Sequence, residues 1–287
     1  MARLFGIIGN RADLAGRALA YEAEALRVRG GASGWGIGFY QGGEVLMRRR
    51  PTVDSGDLDV SKLVADARTD VLIGQVRRAT VGSLRTENTH PFRFRQWLFA
   101  QTGTVPAFES TRERMVASVP EFLRAGIRGE TDAEVVFHVF LSFLHDAGRL
   151  NDLIVPPSAA VDALRAALAQ VDAIGSEVGA APAACNVLVS DGDSIIAIHG
   201  AATMGIRALV GKSDAEAVIG DDQQLRRRTP EIGQMNFQIV ASDFDDASSK
   251  SLDAPGPTSG VPPRWNAVAD RAIVTLTRGQ SPKIEAL

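Results

Sequence analysis

Residues 33–40 read Ser-Gly-Trp-Gly-Ile-Gly-Phe-Tyr, and this stretch is the starting point for the fold. Glycines alternate here with apolar and aromatic residues, and Gln-Gly-Gly follows at 41–43, which predicts a strand, a tight turn and a return strand over 44–49. Glycine inside a strand allows another backbone or a ligand to approach closely. The simplest interpretation is a glycine-rich hairpin strand that buries Trp35.

Outside this hairpin, short apolar runs rich in Val, Ile and Leu alternate with longer amphipathic segments, the patterns of buried strands and helices. Strands are predicted at 3–8, 70–76, 97–101, 185–190, 194–199, 237–242 and 272–277, and helices at 15–29, 60–67, 111–125, 132–146 and 159–174. Residues 248–263 are predicted to form a flexible loop. Strands near both ends with helices between them favour one mixed domain over residues 1–287, because the layers close only together.

Bulk composition excludes several classes of protein. The net charge is −3 over 287 residues, which does not attract nucleic acid or an anionic membrane. No apolar run approaches 18 residues and no signal peptide is recognisable, and the lone Cys185 allows no intramolecular disulfide, so we expect a cytoplasmic protein without membrane spans. A phosphate-binding loop and a dinucleotide fingerprint are absent, and His138 and His145 lack metal-ligand spacing, so no cofactor or metal is expected.

Several segments together resemble class II glutamine amidotransferases, in particular the stand-alone members related to the ergothioneine-pathway γ-glutamyl hydrolases. Four segments are similar to motifs of that family: the opening Met-Ala-Arg-Leu-Phe-Gly, the stretch at 33–40, Arg-Arg-Ala-Thr-Val-Gly at 77–82 and Asn-Thr-His-Pro-Phe at 88–92. Phe-Ala-Gln-Thr-Gly-Thr-Val at 99–105 is similar to another. The resemblance implies an α+β fold of the N-terminal nucleophile hydrolase type, a four-layer αββα sandwich with two antiparallel sheets between helical layers.

The resemblance also implies a pocket for glutamine or a related α-amino acid. Arg77 would hold the α-carboxylate, since a guanidinium fork suits a planar carboxylate, and Thr80 would make a neighbouring contact. Asp132 would bind the α-ammonium, although Thr-Asp followed by Glu is also a common helix cap and both roles are compatible. Trp35 and His90 would shape the pocket without taking part in proton transfer.

The chain departs from the family pattern at the positions that perform the reaction. Family members expose an N-terminal Cys as the nucleophile, whereas this chain has Ala2, whose methyl group cannot attack an amide. The oxyanion hole of the family uses an Asn side chain and a Gly amide, whereas the matching positions here are Thr102 and Gly103. Gln75 and Gln101 stand where the family has His, and Ser33 replaces an Asp.

Three functions are compatible with this pattern. The preferred one is a catalytically silent relative that keeps an amino-acid pocket. The first alternative is an active glutaminase or γ-glutamyl amidohydrolase, either native or changed from Cys to Ala in the laboratory, although such a change accounts for Ala2 alone. The second alternative is a scaffold or regulatory subunit that acts through a partner enzyme or as a homodimer.

Overall fold

The computed structural model describes residues 2–54, 56–228, 231–244 and 260–287. The strands within these ranges are Arg3–Gly9 (β1), Ala32–Gln41 (β2), Glu44–Asp54 (β3), Val71–Arg77 (β4), Phe92–Phe94 (β5), Trp97–Thr104 (β6), Ala184–Ser190 (β7), Ser194–His199 (β8), Met204–Val210 (β9), Asn236–Ser242 (β10), Asn266–Ala267 (β11), Ala272–Thr277 (β12) and Lys283–Ala286 (β13). The α-helices are Ala15–Tyr21 (α1), Ala23–Leu26 (α2), Val60–Val64 (α3), Phe108–Ser118 (α4), Glu121–Arg124 (α5), Asp132–Asp146 (α6), Pro157–Ser176 (α7), Gly211–Ile219 (α8) and Gln223–Arg228 (α9). Short 3₁₀ helices lie at Thr86–Asn88 and Ile232–Gln234.

The strands form two sheets in which all pairs described are antiparallel. The first has the order β11-β9-β10-β1-β4-β2-β3, and the second has the order β13-β12-β8-β7-β6-β5. β1 lies between β10 and β4, so a strand from the start of the chain pairs with one that is more than 200 residues away. The α+β prediction with two antiparallel sheets is therefore confirmed.

Alternating side chains of the strands supply three apolar layers. Leu4 of β1 packs between the sheets with Leu98 and Leu188 of the second sheet. Phe5, on the opposite face of β1, packs with helices α1, α3 and α8. The outer face of the second sheet, which includes Phe99, packs on α4, α6 and α7. Because successive residues of a strand point to opposite faces, this alternation produces the four-layer αββα arrangement.

Two predicted helices are each divided in the structure. The helix predicted over 15–29 is wrong as a continuous element, since α1 and α2 are separated at Glu22. The buried carboxylate of Glu22 accepts hydrogen bonds from Arg207 Nε at 3.1 Å and Trp265 Nε1 at 2.9 Å. These distant partners hold Glu22 outside helical geometry, so a tertiary contact overrides the local pattern.

The helix predicted over 111–125 is also two helices, α4 and α5, with Pro120 between them. Val119 is extended, with φ −85° and ψ 136°, because the ring of a following proline disfavours helical geometry in the preceding residue.

The strand β9 and helix α8 were not predicted from the sequence. Most of the loop predicted over 248–263 lies outside the described residues. Within the described part of the chain, no helix is both long enough and apolar enough to span a membrane.

Candidate active site

A cavity of about 230 Å³ lies where β4 and β6 end beside the first turn of α6. The residues that line it come from both sheets, the loop after β4 and the N-terminus of α6. They are Ala2, Gln75, Arg77, Arg78, Thr80, Val81, His90, Gln101, Thr102, Gly103, Thr104, Thr131, Asp132 and Ala133. Seven of the eight residues singled out from the sequence therefore line one cavity.

Trp35 is the residue that the cavity does not include. It is half-buried on β2 and packs against the apolar layer beneath α1 and α3. The glycine beside it explains the unusual strand: a Cβ on Gly36 would overlap the backbone carbonyl oxygen of His90. Gly36 therefore admits the backbone of the loop that carries His90, which is the close approach that the sequence indicates.

Arg77 at the end of β4 is almost completely buried. Its Nη2 donates to the carbonyl oxygens of Val81 at 2.6 Å and Gly82 at 3.1 Å, and its Nη1 donates to that of Ser83 at 3.2 Å. Burial lowers the pKa of Arg77, but guanidinium stays charged in proteins. The guanidinium therefore holds the 81–83 loop in place, and its Nε–H has no hydrogen-bond partner among the described residues.

Asp132 is the first residue of α6 and is also buried. Its Oδ2 accepts from the backbone N–H of Val105 at 2.8 Å, and its Oδ1 accepts from that of Ala133 at 2.9 Å. Burial raises the pKa of Asp132, whereas these hydrogen bonds and the charge of Arg77 oppose the rise. Each carboxylate oxygen has a second acceptor site, so Asp132 can still receive a donor from the cavity.

The helix-cap role predicted for this segment belongs to its neighbours. Thr131 is the N-cap of α6, and its side chain accepts from the backbone N–H of Glu134 at 3.3 Å. Glu134 accepts instead from the backbone N–H groups of Arg128 and Gly129, at 3.0 and 2.6 Å. Thr131 therefore caps the helix, and Asp132 lies in the cavity lining beside it.

Thr102 and Gly103 lie at the end of β6 with different surroundings. The Thr102 hydroxyl donates to Asp243 Oδ2 at 2.7 Å, and Ser242 donates to the same oxygen. Since a hydroxyl has one hydrogen, Thr102 in this arrangement has none to offer a ligand in the cavity. Gly103 has φ +89°, and a Cβ there would overlap the carbonyl oxygen of Ala184, so the position requires glycine.

Three buried polar side chains contribute to the wall, and two of them, Gln75 and Gln101, were not assigned a function from the sequence. Gln75 on the first sheet donates from Nε2 to the backbone carbonyl of Gln101 on the second sheet at 2.5 Å, which joins the sheets beside the cavity. Gln101 donates from its own Nε2 to Cys185 Sγ at 3.3 Å. The Oε1 atoms of Gln75 and Gln101 and both ring nitrogens of His90 are buried without a hydrogen-bond partner in the described structure. Such groups are expensive to bury, and these atoms lie behind the accessible surface of the cavity.

The other polar groups of the cavity do not form an activated nucleophile. Burial, with Arg77 and Arg49 nearby, lowers the pKa of His90 to about 3, so its ring is neutral at physiological pH. The hydroxyls of Thr80 and Thr104 lie 3.2 Å apart and bond to each other. Burial raises the pKa of the Cys185 thiol, which lies in a different pocket behind the second sheet. Among the described residues, no group of three or more His, Cys, Asp and Glu could hold a metal ion.

The cavity lies between two antiparallel sheets and is bordered by Ala2, Arg77, Gly103 and Asp132. This combination is that of a glutamine-amidotransferase-like protein with an N-terminal nucleophile hydrolase fold. The chain belongs to the class-II glutamine amidotransferases, since it matches that family over residues 1–240.

Relatives support this assignment over part of the chain. The chain is 31% identical over 130 residues to the γ-glutamyl-hercynylcysteine sulfoxide hydrolase of Mycobacterium tuberculosis, covering 45% of this chain and 50% of that protein. It is 29% identical over 130 residues to Escherichia coli YafJ, which is named as a glutamine amidotransferase, covering 42% of this chain and 47% of YafJ. These matches therefore span about half the length of each relative.

Solved structures agree with the fold. A glutamine aminotransferase class-II domain protein from Silicibacter pomeroyi superimposes with a TM-score of 0.55 at 16% identity, covering 99% of this chain and 98% of that one. Glutamine phosphoribosylpyrophosphate amidotransferase from B. subtilis superimposes with a TM-score of 0.55 at 15% identity, covering 99% of this chain and 49% of that one. At these identities the similarity shows the fold alone, and it confirms the αββα prediction.

Proposed function

We propose that this protein binds glutamine or a related α-amino acid in the cavity beside α6 and does not hydrolyse it. The observation that carries the proposal is the placement of two opposite charges in one small cavity. Arg77 and Asp132 are both nearly inaccessible, both line the cavity, and do not form an ion pair within 4 Å of each other. A buried cation and a buried anion held apart complement the α-carboxylate and α-ammonium of an amino acid, because each buried charge needs a partner.

The proposed absence of hydrolysis rests on the same wall. Ala2 provides no attacking atom, and loss of the nucleophile in other hydrolases costs about 10⁶ in rate. Thr102 donates its hydrogen to a carboxylate, so the position proposed for oxyanion stabilisation has a bound hydroxyl with a negative charge behind it. The neutral imidazole of His90 has no hydroxyl or thiol within hydrogen-bonding distance among the described residues, so it does not activate a substitute nucleophile.

Calorimetric titration with matched ligands tests the binding half of the proposal. L-glutamine and L-glutamate are expected to bind, whereas glutarate, which lacks the ammonium group, and γ-aminobutyrate, which lacks the α-carboxylate, are expected to bind much more weakly. Asp132→Asn is expected to reduce the affinity for L-glutamine by about tenfold to a hundredfold, since a charge-assisted hydrogen bond is lost.

The matched control for that titration is Asp146→Asn at the other end of α6, where the carboxylate is exposed. It removes the same charge from the same helix and is expected to leave the affinity unchanged. Arg77→Lys keeps the positive charge but loses the planar fork, so it is expected to weaken binding of both amino acids. Equal affinity for L-glutamine and glutarate would contradict the assignment of Asp132 as the ammonium partner.

Binding is also expected to depend on pH through Asp132. Its pKa is raised above the usual 3.8 in the free protein, mainly by burial, and only the ionised carboxylate attracts an ammonium group. The affinity for L-glutamine is therefore expected to fall as the pH is lowered, and to begin falling at a higher pH than an ordinary aspartate would dictate. Asp132→Asn is expected to show a flatter profile over the same range, as measured by titrations at successive pH values.

Family membership favours the alternative of an active glutaminase or γ-glutamyl amidohydrolase, because a named relative is a hydrolase. An assay of ammonia released from glutamine separates that alternative from a silent binding protein. A scaffold would show neither binding nor ammonia release.

We also propose that residues 1–287 form one domain, supported by the pairing of β1 with β10. Cytoplasmic location, and a partner enzyme or a second copy as binding partner, stay predictions.

A further inference from the structure

A second cavity, of about 540 Å³, is lined by residues of β3, β5 and α6 and of the loops beside them, and it shares no lining residue with the first cavity. We call it the arginine pocket, because Arg49 of β3, Arg93 and Arg95 in and after β5, and Arg128 before α6 all line it. The chain as a whole has a net charge of −3, so four guanidinium groups around one cavity are a local reversal of sign. The size lies within the range of small-molecule sites.

The four guanidinium groups are not neutralised by the protein. Within the described ranges, none of them lies within 4 Å of a carboxylate oxygen, and Arg128 has no side-chain hydrogen-bond partner. Arg49 donates to the Thr89 carbonyl at 3.2 Å, and Arg93 donates to the carbonyls of Arg95 at 2.9 Å and Val45 at 3.0 Å. Arg95 donates to the side-chain oxygen of Asn151. All these acceptors are uncharged, so none of these hydrogen bonds offsets the charge of a guanidinium group.

Two carboxylates also line the pocket and interact electrostatically with Arg49, so they reduce the positive potential without reversing it. Glu134 is buried at the base, where its oxygens accept from the backbone N–H groups of Arg128 and Gly129. Glu87 is exposed at the rim. Four positive groups therefore face two negative ones, and the more deeply placed carboxylate already has hydrogen-bond partners.

A buried histidine adds a directional polar group to the same wall. His138 on α6 is 4% exposed, and its Nδ1 lies 2.8 Å from the backbone carbonyl oxygen of Glu134. A carbonyl only accepts, so Nδ1 carries the hydrogen and Nε2 is left as an acceptor. A Cβ on Gly126 would lie 2.7 Å from Nε2, so the glycine there leaves this nitrogen uncovered. Nε2 has no partner among the described residues.

We propose that the arginine pocket binds a small organic oxyanion, a phosphate monoester or a dicarboxylate, whose charged group contacts the arginines while a hydroxyl or N–H group of the same ligand donates to His138 Nε2. Guanidinium groups bind phosphate and carboxylate oxygens through paired, charge-assisted hydrogen bonds. The half-buried Phe94 and Met47 provide an apolar wall for the carbon skeleton of the ligand. This site is separate from the proposed amino-acid cavity and does not depend on it.

Calorimetry of the full chain with four probes tests the proposal: inorganic phosphate, ribose 5-phosphate, succinate and uncharged ribose. Ribose 5-phosphate or succinate is expected to bind with a millimolar or lower dissociation constant, and more tightly than ribose. Its affinity is expected to fall as the salt concentration rises. If ribose 5-phosphate binds more tightly than succinate, the ligand is a phosphate ester, and the reverse order identifies a dicarboxylate. If inorganic phosphate is the only probe that binds, the proposal of an organic ligand is overturned.

Variants locate the binding and keep it distinct from the amino-acid cavity. Arg128→Gln and Arg95→Gln are each expected to lower the affinity for the tighter-binding probe by roughly tenfold, since each removes a charged donor. Arg226→Gln, on the exposed face of α9, removes the same charge elsewhere and is expected to have no effect. Arg77→Lys is expected to affect L-glutamine alone. The proposal would be overturned if neither ribose 5-phosphate nor succinate bound. It would also be overturned if Arg226→Gln reduced the affinity for the tighter-binding probe as much as Arg128→Gln and Arg95→Gln do.

Discussion

The double variant Ala2→Cys/Thr102→Asn is expected to release ammonia from L-glutamine about 10² to 10³ times faster than Ala2→Cys alone, the usual effect of one oxyanion donor. Ala2→Cys places a thiol in the cavity wall, but the Thr102 hydroxyl still donates to Asp243. An asparagine side chain has two N–H donors, so one can bond Asp243 while the other faces the cavity. The measurement is the initial rate of ammonia release by the purified proteins.

The matched control is Ala2→Cys/Thr104→Asn. Thr104 lines the same cavity and bonds Thr80, so this variant adds the same amide at a position that is not proposed to stabilise an oxyanion. Its rate is expected not to exceed that of Ala2→Cys, because it adds no oxyanion donor and removes the partner of Thr80. If Ala2→Cys alone is as fast as the double variant with Thr102→Asn, then Thr102 does not limit the reaction and the proposed second defect is wrong.

Gly36→Ala is expected to lower the free energy of unfolding by about 3 kcal/mol, at the upper end of the usual cost of overpacking. The added methyl group would overlap the carbonyl oxygen of His90, and backbone cannot move aside as the end of a flexible side chain can. Displacement of this loop would also shift His90 in the cavity wall. Urea-induced unfolding followed by circular dichroism measures the effect.

Gly233→Ala is the control for that experiment, because the nearest atom to its added Cβ would be 3.9 Å away, an ordinary van der Waals contact. It is expected to change stability by less than about 0.5 kcal/mol, as typical surface substitutions do. A loss of stability in Gly36→Ala no larger than in Gly233→Ala would show that the approach of the His90 loop does not require glycine at position 36.

Local patterns were sufficient for elements whose ends are marked in the sequence. Helix α6 begins after the cap Thr131 and has the predicted bounds, as do strands β8 and β12. The break at Pro120 also carries a local mark, the restriction that proline places on Val119, and the prediction overlooked it. The break at Glu22 carries none, because the groups that hold it come from residues 207 and 265.

The candidate site divides in the same way. Resemblance in short motifs predicted which residues surround the cavity, since Arg77, Gly103 and Asp132 follow recognisable neighbours. It did not predict that Asp243, 141 residues beyond Thr102, takes the Thr102 hydrogen. It also missed Gln75 as a bridge between the sheets. Hydrogen bonds between elements far apart in sequence depend on packing and register, which motifs alone do not specify.

The most direct test is one nuclear magnetic resonance experiment on the unaltered protein with L-glutamine. Saturation transfer from the protein to the glutamine resonances is expected, which shows binding, while the glutamine signals are expected to stay constant over hours without resonances of glutamate. Accumulation of glutamate would contradict the proposed loss of hydrolysis. Absence of saturation transfer at millimolar glutamine would contradict the proposed amino-acid cavity.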